Sequence, residues 1–234
     1  MIEFGHATHI GLRRAHNEDT YWADGALGLF LVADGMGGHE HGEVASAVAR
    51  DTLVREIGDG ASLSDAVRRA DKAIIALSRK RSEALPMGTT IAALCVRERN
   101  YDVAWVGDSR VYLWQNGVLR QLSQDHSYVQ ELVTQGAISA EQARNHPHRN
   151  MVTQALGITS PQELHVETRQ GTLEPGMQFL LCSDGLTEEV EDAAIARVLA
   201  REDLAAQECV EHLVLAALDG GGTDNITVLL VRVC

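Results

Sequence analysis

Apolar runs of strand length recur along the chain and predict a β-rich core. They occupy residues 27–33, 90–96, 103–106, 179–182 and 226–233. The runs are nearly continuous rather than alternating, which is typical of strands buried on both faces. Asn116 and Gly117 separate two further apolar runs, 111–114 and 118–122, and this pair suits the positive φ angles of a tight hairpin turn. The sequence therefore predicts an antiparallel sheet.

Apolar positions with helical spacing predict helices that cover these strands. The longest such set is Leu63, Ala66, Val67, Ala70, Ile74 and Leu77, with Ser62 or Ser64 available as an N-cap. A second helix face comprises Val210, Leu213, Val214 and Ala217, and a third comprises Val44, Ala47 and Val48. Buried strands combined with one-faced helices predict a layered α+β domain, with helices on the outside of packed sheets.

The segment from about residue 125 to 157 interrupts this pattern. It contains two short helical signals, at 127–135 and 140–145, followed by the polar run 146–150. Segments of this kind often cover a functional site, so we predict a surface insertion; a simple connecting element is the alternative. No repeat or Pro/Ser-rich linker divides the chain, and we expect residues 1–234 to form a single domain.

The charge balance and the cysteines argue against several classes of protein. The formal net charge of −13 repels the phosphate backbone of nucleic acids at long range, so we expect no nucleic-acid partner. Cys95, Cys182, Cys209 and Cys234 are widely spaced and include no CxxC pair, which argues against a disulfide framework or a zinc ribbon. We expect free thiols in a reducing cytoplasm.

The sequence contains no pattern typical of a secretion signal or a membrane span. The N-terminus lacks a basic stretch followed by an apolar one, and apolar runs stay shorter than the roughly 18 residues that cross a bilayer. We therefore expect a cytoplasmic protein with no direct membrane contact, and a monomer is the default oligomeric state.

Aspartates stand at the ends of the predicted strands. The four cases are Asp34 after 29–33, Asp108 after 105–107, Asp184 after 180–183 and Asp224 before 226–231. An aspartate in this position is held rigidly with its carboxylate just outside the core, and several such ends can meet at one edge of packed sheets. Gly35 allows close approach of the backbone beside Asp34, so its carbonyl is a further candidate ligand.

Converging carboxylates predict a cation between them, because like charges repel at short range. Oxygen donors without the ligand spacing of His or Cys suit Mg²⁺ or Mn²⁺ better than zinc. Each Asp-Gly pair alone is more typical of an ordinary turn. The recurrence of strand-end aspartates in one chain favours the metal-site interpretation.

Short motifs occur along the chain in an order that matches one known family. They are Arg14-Ala15-His16-Asn17-Glu18-Asp19, Asp34-Gly35-Met36-Gly37-Gly38-His39, Gly88-Thr89-Thr90, Gly107-Asp108-Ser109-Arg110, Ser183-Asp184-Gly185 and Asp224-Asn225. On these motifs the sequence resembles the bacterial branch of the metal-dependent serine/threonine phosphatases, type 2C, and 125–127 with 146–147 resemble the family's flap. The resemblance implies a four-layer α-β-β-α sandwich, with two central antiparallel sheets flanked by helices.

The resemblance also implies two Mn²⁺ or Mg²⁺ ions at one end of the sandwich. Asp34 would bridge the two ions, and Asp184 and Asp224 would bind one of them. The Gly35 carbonyl and a water held by Glu18 would complete the other. Two such ions lower the pKa of a shared water and direct the resulting hydroxide at phosphorus.

Further roles follow from the same resemblance. Asp108 would join Asp184 in holding a weaker third ion. Arg14 would grip the substrate phosphate through paired N–H donors, a geometry that lysine does not reproduce. Asp19 and Asn225 would support the neighbouring side chains.

One position departs from the family pattern. Eukaryotic members carry a histidine, a proposed general acid, directly after the Asp-Gly pair, where this chain has Met36. His39, a metal-bound water and bulk solvent are therefore the candidates for protonating the leaving group.

The implied activity is hydrolysis of phosphoserine and phosphothreonine in proteins, with a cognate serine/threonine kinase and its targets as partners in signalling. The alternatives are a degenerate fold that acts as a binding module and an enzyme for small phosphoesters. Retention of Arg14, Asp34, Asp184 and Asp224 favours activity. A cysteine phosphatase is disfavoured, because acidic groups near Cys182 oppose thiolate formation.

Overall fold

The chain forms eleven strands and seven helices within residues 1–37, 41–80 and 87–234, which this computed structural model describes. The strands are β1 (Ile2–His9), β2 (Asp19–Asp24), β3 (Leu29–Met36), β4 (Gly88–Thr89), β5 (Ile91–Arg97), β6 (Asn100–Val106), β7 (Arg110–Gln115), β8 (Val118–Gln121), β9 (Glu167–Thr172), β10 (Gln178–Cys182) and β11 (Ile226–Val233). The helices are α1 (His41–Gly58), α2 (Leu63–Lys80), α3 (Tyr128–Thr134), α4 (Ala140–Arg144), α5 (Asp184–Thr187), α6 (Asp192–Leu199) and α7 (Ala206–Gly220).

The strands form two antiparallel sheets. The first has the order β1-β11-β10-β7-β8. The second has the order β2-β3-β5-β6-β9, with the short β4 paired to the end of β3. Hydrophobic side chains from both sheets, including Phe30, Val111, Phe179 and Leu229, form one buried cluster, so the sheets pack face to face.

Helices cover the outer face of each sheet. A second apolar cluster joins the second sheet to α1 and α2, and a third joins the first sheet to α5, α6 and α7. The order of layers is therefore helix, sheet, sheet, helix, which confirms the predicted α+β sandwich. No helix among residues 1–37, 41–80 and 87–234 has both the length and the apolar character needed to cross a membrane.

The predicted hairpin turn is confirmed. β7 and β8 are joined by Asn116 with φ of 52° and Gly117 with φ of 76°. Both residues occupy the left-handed region that this pair was expected to tolerate. Among the predicted helix faces, the one on α2 and the one on α7 are buried, although Leu77 is only partly so.

The predicted helix α1 is present, but its most buried face differs from the predicted one. Val44, Ala47 and Val48 are only partly buried, whereas the buried residues are Gly42, Ala45, Ser46, Ala49, Thr52, Leu53 and Ile57. The reason is that the first turns of α1 approach the β3 backbone closely, and small residues permit this approach. The valines lie at the side of the helix and pack against the edge of the cluster.

The strand expected to end before Asp34 is longer than predicted. β3 continues to Met36, because Gly35 and Met36 pair with Thr89 and Gly88 of β4. Asp34 therefore lies on a paired strand rather than after it, and its backbone is fixed on both sides.

Residues 125–157 contain α3 and α4, near the positions predicted for two short helices. Ser127 caps α3 by accepting from the Gln130 backbone N–H, and Ser139 forms a capping box with Gln142 at α4. We refer to residues 125–157 as the flap.

Candidate metal and phosphate site

The strand-end aspartates converge at one end of the sandwich. Burial raises the pKa of Asp34 well above its usual range, and the negative charges of Asp19, Asp184, Asp108 and Asp224 raise it further. These four carboxyl groups come from separate parts of the chain, which the two sheets bring together. The two sheets therefore bring these carboxyl groups close enough to Asp34 for their charges to act on it.

Asp34 is held by its backbone. Its N–H donates to the Thr90 hydroxyl at 3.0 Å, and its carbonyl accepts from the Thr89 hydroxyl at 2.9 Å and from the Thr90 N–H at 2.8 Å. Thr90 in turn shares a hydrogen bond of 2.7 Å with Ser109, the residue after Asp108. The Gly88-Thr89-Thr90 motif thus fixes the main chain that carries Asp34 and links it to the β6–β7 turn.

Asp184 begins α5, with Ser183 as the N-cap residue. Burial, and then the charge of Asp224, raises the pKa of Asp184 to about 6. Its Oδ1 atom is buried and has no hydrogen-bond partner. A buried, unpaired carboxylate oxygen is costly unless a cation or proton satisfies it.

Asp19 lies opposite Asp34 in the β2–β3 pairing and is 8% exposed. Its Oδ2 accepts from the Ser183 hydroxyl at 2.7 Å, whereas its Oδ1 is buried without a partner. Burial raises the pKa of Asp19 to about 7, against the lowering effect of hydrogen bonds from Thr227 and Ser183. Asp19 thus connects the two sheets directly beneath the carboxylate cluster.

Asp108 follows Gly107 in the turn between β6 and β7 and is buried. Burial, and then the charge of Asp184, raises its pKa well above the usual range. Asp108 and Asp184 both line a groove of about 600 Å³ between the flap and the segment containing α5 and α6. Arg144 and Arg149 line the flap side of this groove.

Arg14 contacts the cluster through Asp224. Its Nη2 atom lies 2.5 Å from Asp224 Oδ2, and the side chains are 53% and 20% exposed. This hydrogen bond raises the pKa of Arg14, and the charges of Asp224, Asp184 and Asp34 act in the same direction. The guanidinium group therefore lies on the solvent-exposed side of the carboxylates, where an anion can reach it from solvent.

Glu18 and Gly35 pack together against the start of α1. The Glu18 carbonyl accepts from the Gly35 N–H at 3.2 Å and from the Ser46 hydroxyl at 2.7 Å. A Cβ on Gly42 would lie 2.7 Å from Glu18 Oε1, and one on Gly35 would lie 2.1 Å from the Gly42 carbonyl oxygen. Only glycine fits at these two positions. The absence of side chains there lets the Gly35 backbone and the Glu18 carboxylate lie close to each other.

His39 and Gly38 lie outside the described residues, so the prediction of His39 as a supporting residue stays a prediction. Met36 is the last residue of β3 and pairs with Gly88. Cys182 is fully buried in the core, and burial raises the pKa of its thiol to about 12. Such a thiol is not a nucleophile near neutral pH.

The donor set fits a hard divalent ion. The buried oxygens that lack partners, Asp19 Oδ1 and Asp184 Oδ1, are carboxylate oxygens within the cluster, and such oxygens are the ligands that Mn²⁺ and Mg²⁺ prefer. Across residues 1–37, 41–80 and 87–234, no group of three His, Cys, Asp or Glu side chains is arranged so that it could hold a metal ion together. The Asp224 carboxylate is instead paired with Arg14, and binding a shared ion requires it to exchange this partner.

Glu188 is a candidate that the sequence analysis missed. It follows Asp184 by one helical turn, and its backbone N–H donates to the Asp184 carbonyl at 2.8 Å. Glu188 lines the same groove as Asp108 and Asp184, and burial, followed by the charge of Asp184, raises its pKa to about 7. The spacing of Asp184 and Glu188 on one helix face is the signal that could have identified it.

Comparison with known proteins places this geometry in a family. Residues 12–218 match the family model described as Protein phosphatase 2C. The chain is 37% identical over 239 residues to the serine/threonine protein phosphatase PstP of Mycobacterium tuberculosis, aligning 100% of this chain with 45% of PstP. It is also 37% identical over 238 residues to the serine/threonine phosphatase stp of Listeria innocua, covering 96% of this chain and 93% of that protein. The chain thus spans less than half the length of PstP.

Solved structures agree with these matches. The crystal structure of the Mycobacterium tuberculosis serine/threonine phosphatase PstP/Ppp has a TM-score of 0.91 at 35% identity, covering 99% of this chain and 98% of that one. The catalytic domain of PstP in complex with two manganese ions has a TM-score of 0.88 at 33% identity, covering 99% and 97%. The sandwich and the family resemblance predicted from the sequence are both confirmed.

Proposed function

Because the chain belongs to the protein phosphatase 2C family of metal-dependent serine/threonine phosphatases, we propose that it releases phosphate from phosphoserine and phosphothreonine in proteins. The observation that carries this proposal is the convergence of Asp34, Asp108, Asp184 and Asp224 beside the exposed guanidinium of Arg14. Carboxylates for hard cations and an arginine for a phosphoryl group are the two components that this hydrolysis requires.

Mn²⁺ or Mg²⁺ bound at this cluster supplies an activated water for in-line attack on phosphorus. Asp34, Asp184 and Asp224 are the proposed ligands, with the Gly35 carbonyl and a water held by Glu18 as further donors. Hydrogen bonds to its backbone fix Asp34, and the start of α5 fixes Asp184, before substrate arrives. Such preorganisation is the protein's main contribution to a phosphoryl transfer.

Asp108 and Asp184 are the proposed ligands of a third, weaker ion. Glu188 adds a carboxylate on the same groove, and its pKa of about 7 shows that burial and nearby negative charge make its ionised form costly. A cation in the groove would relieve that cost. Glu188 is therefore a further acidic side chain in the groove, beside the two ligands expected from the sequence.

Arg14 is the proposed phosphate ligand. Its pairing with Asp224 places the guanidinium next to the proposed metal cluster. An ion bound to Asp224 would take the place of Arg14 as the partner of that carboxylate. The N–H donors of Arg14 would then be free for the phosphoryl oxygens. The groove beside the flap offers space for the polypeptide around the phosphorylated residue, because it opens directly from Asp184. A protein substrate is favoured over a small phosphoester for this reason.

The cellular role follows from the chemistry of the substrate. We assign the chain to the reversal of a serine/threonine kinase and its targets in bacterial signalling, in the cytoplasm and as a monomer.

The test is release of phosphate from a phosphothreonine peptide by the purified protein in Mn²⁺, with an EDTA-treated sample as the matched control. The proposal predicts release that EDTA abolishes. Well-folded protein that releases nothing in Mn²⁺ or Mg²⁺ would favour a binding module. Equal kcat/KM for the phosphopeptide and for a simple aryl phosphate would point to small phosphoesters.

A further inference from the structure

Asn225 is a buried residue whose side-chain hydrogen bonds, within the described part of the chain, all go to one segment. It follows Asp224, precedes β11 and is 5% exposed. Its Nδ2 atom donates to the Ile10 carbonyl at 2.9 Å and to the His16 carbonyl at 3.0 Å, and its Oδ1 accepts from the Glu18 N–H at 2.8 Å. Both donors and the acceptor of the amide are therefore used, and all three hold residues 10–18. We call residues 10–18 the arginine loop.

The arginine loop carries Arg14 between the points that Asn225 holds. Further hydrogen bonds fix it, including those from the Leu12 N–H to the Gly222 carbonyl at 2.6 Å and from Asn17 Nδ2 to the Thr8 hydroxyl at 2.9 Å. Arg14 itself is 53% exposed and contacts the cluster through its guanidinium group. Its long side chain loses rotamer freedom when it grips an anion, so a rigid backbone beneath it lowers the cost of binding.

Asn225 also joins the arginine loop to Asp224. The Asn225 backbone N–H donates to Asp224 Oδ1 at 2.8 Å, while Asp224 Oδ2 meets Arg14. A Cβ on Gly11, which has φ of 81°, would lie 2.2 Å from the Asp224 carbonyl oxygen, so the loop and the Asp224 backbone are in direct contact. The position of the arginine loop relative to Asp224 thus depends on the side-chain amide of Asn225.

We propose that Asn225 is a positioning residue, which clamps the arginine loop so that the Arg14 guanidinium faces the substrate phosphoryl group. This inference rests on the proposed phosphatase function and adds the device that places its phosphate ligand. The side-chain donors and acceptor of Asn225 are all used by the arginine loop, so Asn225 acts through the residues that this loop carries, Arg14 first among them.

An amide is required at this position for a chemical reason. Ile10 and His16 present carbonyl oxygens, which need a donor, and Glu18 presents an N–H, which needs an acceptor. In Asn225→Asp, a carboxylate oxygen faces two carbonyl oxygens and repels them. The isosteric Asn225→Asp change therefore breaks the clamp without changing its volume, and Asn225→Ala removes it.

The experiment is a double-mutant cycle between Asn225→Ala and Arg14→Ala, measured as kcat/KM for a phosphothreonine peptide in Mn²⁺. We expect Asn225→Ala and Asn225→Asp each to lower kcat/KM by roughly 30-fold or more, as a misplaced phosphate ligand would. The double variant should then lie within about 3-fold of Arg14→Ala, because the clamp has no further effect once Arg14 is absent. Losses that multiply in the double variant would overturn the proposal, as would wild-type kcat/KM in Asn225→Ala.

Gln178→Ala is the matched control. Gln178 begins β10 at the opposite end from Asp184, and its amide also donates to a carbonyl, that of Leu199, and accepts from Arg232. Its loss should lower the melting temperature without changing kcat/KM. The wild type separates the two hypotheses: an inactive wild type contradicts the proposed function, whereas an active wild type with an equally active Asn225→Ala contradicts only the clamp.

A second variant covers the case in which Asn225→Ala does not fold. Asn17→Ala removes the hydrogen bond of the same loop to the Thr8 hydroxyl and the one that Asn17 Oδ1 accepts from the Asp19 N–H at 3.1 Å, and it removes no apolar side chain from the core. We expect a smaller loss of kcat/KM, about 3- to 10-fold, that again disappears in the Arg14→Ala background. An equal loss in both backgrounds would contradict the proposal.

Discussion

Arg14 and Asp224 show how one contact serves two purposes. The ion pair neutralises the negative charge of the Asp224 carboxylate, and it also holds the Arg14 guanidinium at the edge of the carboxylate cluster. An arginine presents paired N–H donors in a plane, whereas a lysine presents a point charge. Charge alone is therefore not sufficient at this position.

Arg14→Lys tests that distinction. We expect kcat/KM for a phosphothreonine peptide to fall by about 10- to 100-fold, because the paired donors to the phosphoryl oxygens are lost. Mn²⁺ affinity should change little, since the positive charge is retained. Arg13→Lys on the neighbouring exposed residue is the control and should behave as the wild type. A similar loss in both variants would contradict the assignment of Arg14.

Ser183 connects the two sheets beneath the site. Its hydroxyl donates to Asp19 Oδ2 at 2.7 Å and accepts from the Thr227 N–H at 3.0 Å. Ser183→Ala removes the hydroxyl that donates to Asp19 Oδ2, while the other carboxylate oxygen, Oδ1, already has no partner. We expect the free energy of unfolding of the metal-free protein to fall by about 1–3 kcal/mol, measured by urea denaturation. Ser160→Ala, which removes an exposed contact to Glu163, should change it by less than about 0.5 kcal/mol.

At the scale of elements, the flap is attached at its root to the β6–β7 turn. The Gly107 N–H donates to His126 Nδ1 at 3.2 Å, and the His126 N–H donates back to the Gly107 carbonyl at 2.9 Å. Arg110 adds a two-pronged contact to Asp125, at 2.7 to 3.0 Å. These bonds tie the flap to the residues on either side of Asp108.

Arg110→Met tests this attachment. The pair is partly buried, so we expect a loss of about 2 kcal/mol in the free energy of unfolding, between the values typical of exposed and of buried ion pairs. Hydrogen exchange at the Thr153 amide, which donates to the His126 carbonyl, should become faster.

Arg144→Met is the control for the flap, because it breaks only the exposed pair with Glu191, at 3.4 Å. It should change neither the free energy of unfolding nor the Thr153 exchange rate beyond error. Unchanged exchange in Arg110→Met would show that the flap root is held in another way.

The sequence predicted the strands that are buried on both faces and, through the Asn116-Gly117 hairpin, the edge strand β8, but it missed the other edge strands. β3, β5 and β11 have continuous apolar runs because both of their faces are covered. β1, β2 and β9 are edge strands with polar side chains, and most of β9 is exposed, so no apolar pattern marks it. The α1 face was misjudged because close packing on β3 favours small residues over valine.

The candidate site divides in the same way. Asp34, Asp108, Asp184 and Asp224 could be predicted, because an aspartate next to a buried strand is visible in the sequence. The contacts of Asn225 with residues 10–18 could not, because they join positions more than 200 residues apart through sheet pairing. Spacing along the chain carries no information about such a pairing.

For the whole molecule, the carboxylate cluster makes stability depend on pH and on metal together. Burial raises the pKa of Asp184 to about 6 and that of Asp19 to about 7. Because these values lie above the unfolded value of about 3.9, protonation stabilises the metal-free fold at low pH. That contribution is lost progressively as the pH rises from the unfolded value of about 4 to the folded values of about 6 to 7.

Mn²⁺ should compensate for this loss, since a cation competes with protons for the same oxygens. We expect the increase in melting temperature caused by Mn²⁺ to be small at pH 5, to grow up to about pH 7 and to level off above it. Thermal unfolding with and without Mn²⁺ across this range measures it. A gain that is the same at every pH would contradict metal binding by these carboxylates.

Metal binding by the carboxylate cluster is tested most directly by calorimetric titration of Mn²⁺ into the metal-free wild type and into metal-free Asp34→Asn. Asp51→Asn, which changes an exposed residue on α1, is the control. We expect at least two ions per wild-type chain, and the same for the control. Asp34→Asn should lose at least one ion or bind about 10- to 100-fold more weakly, with phosphate release abolished and the circular dichroism spectrum unchanged. Equal Mn²⁺ binding and equal turnover in Asp34→Asn and the wild type would contradict metal binding by this cluster.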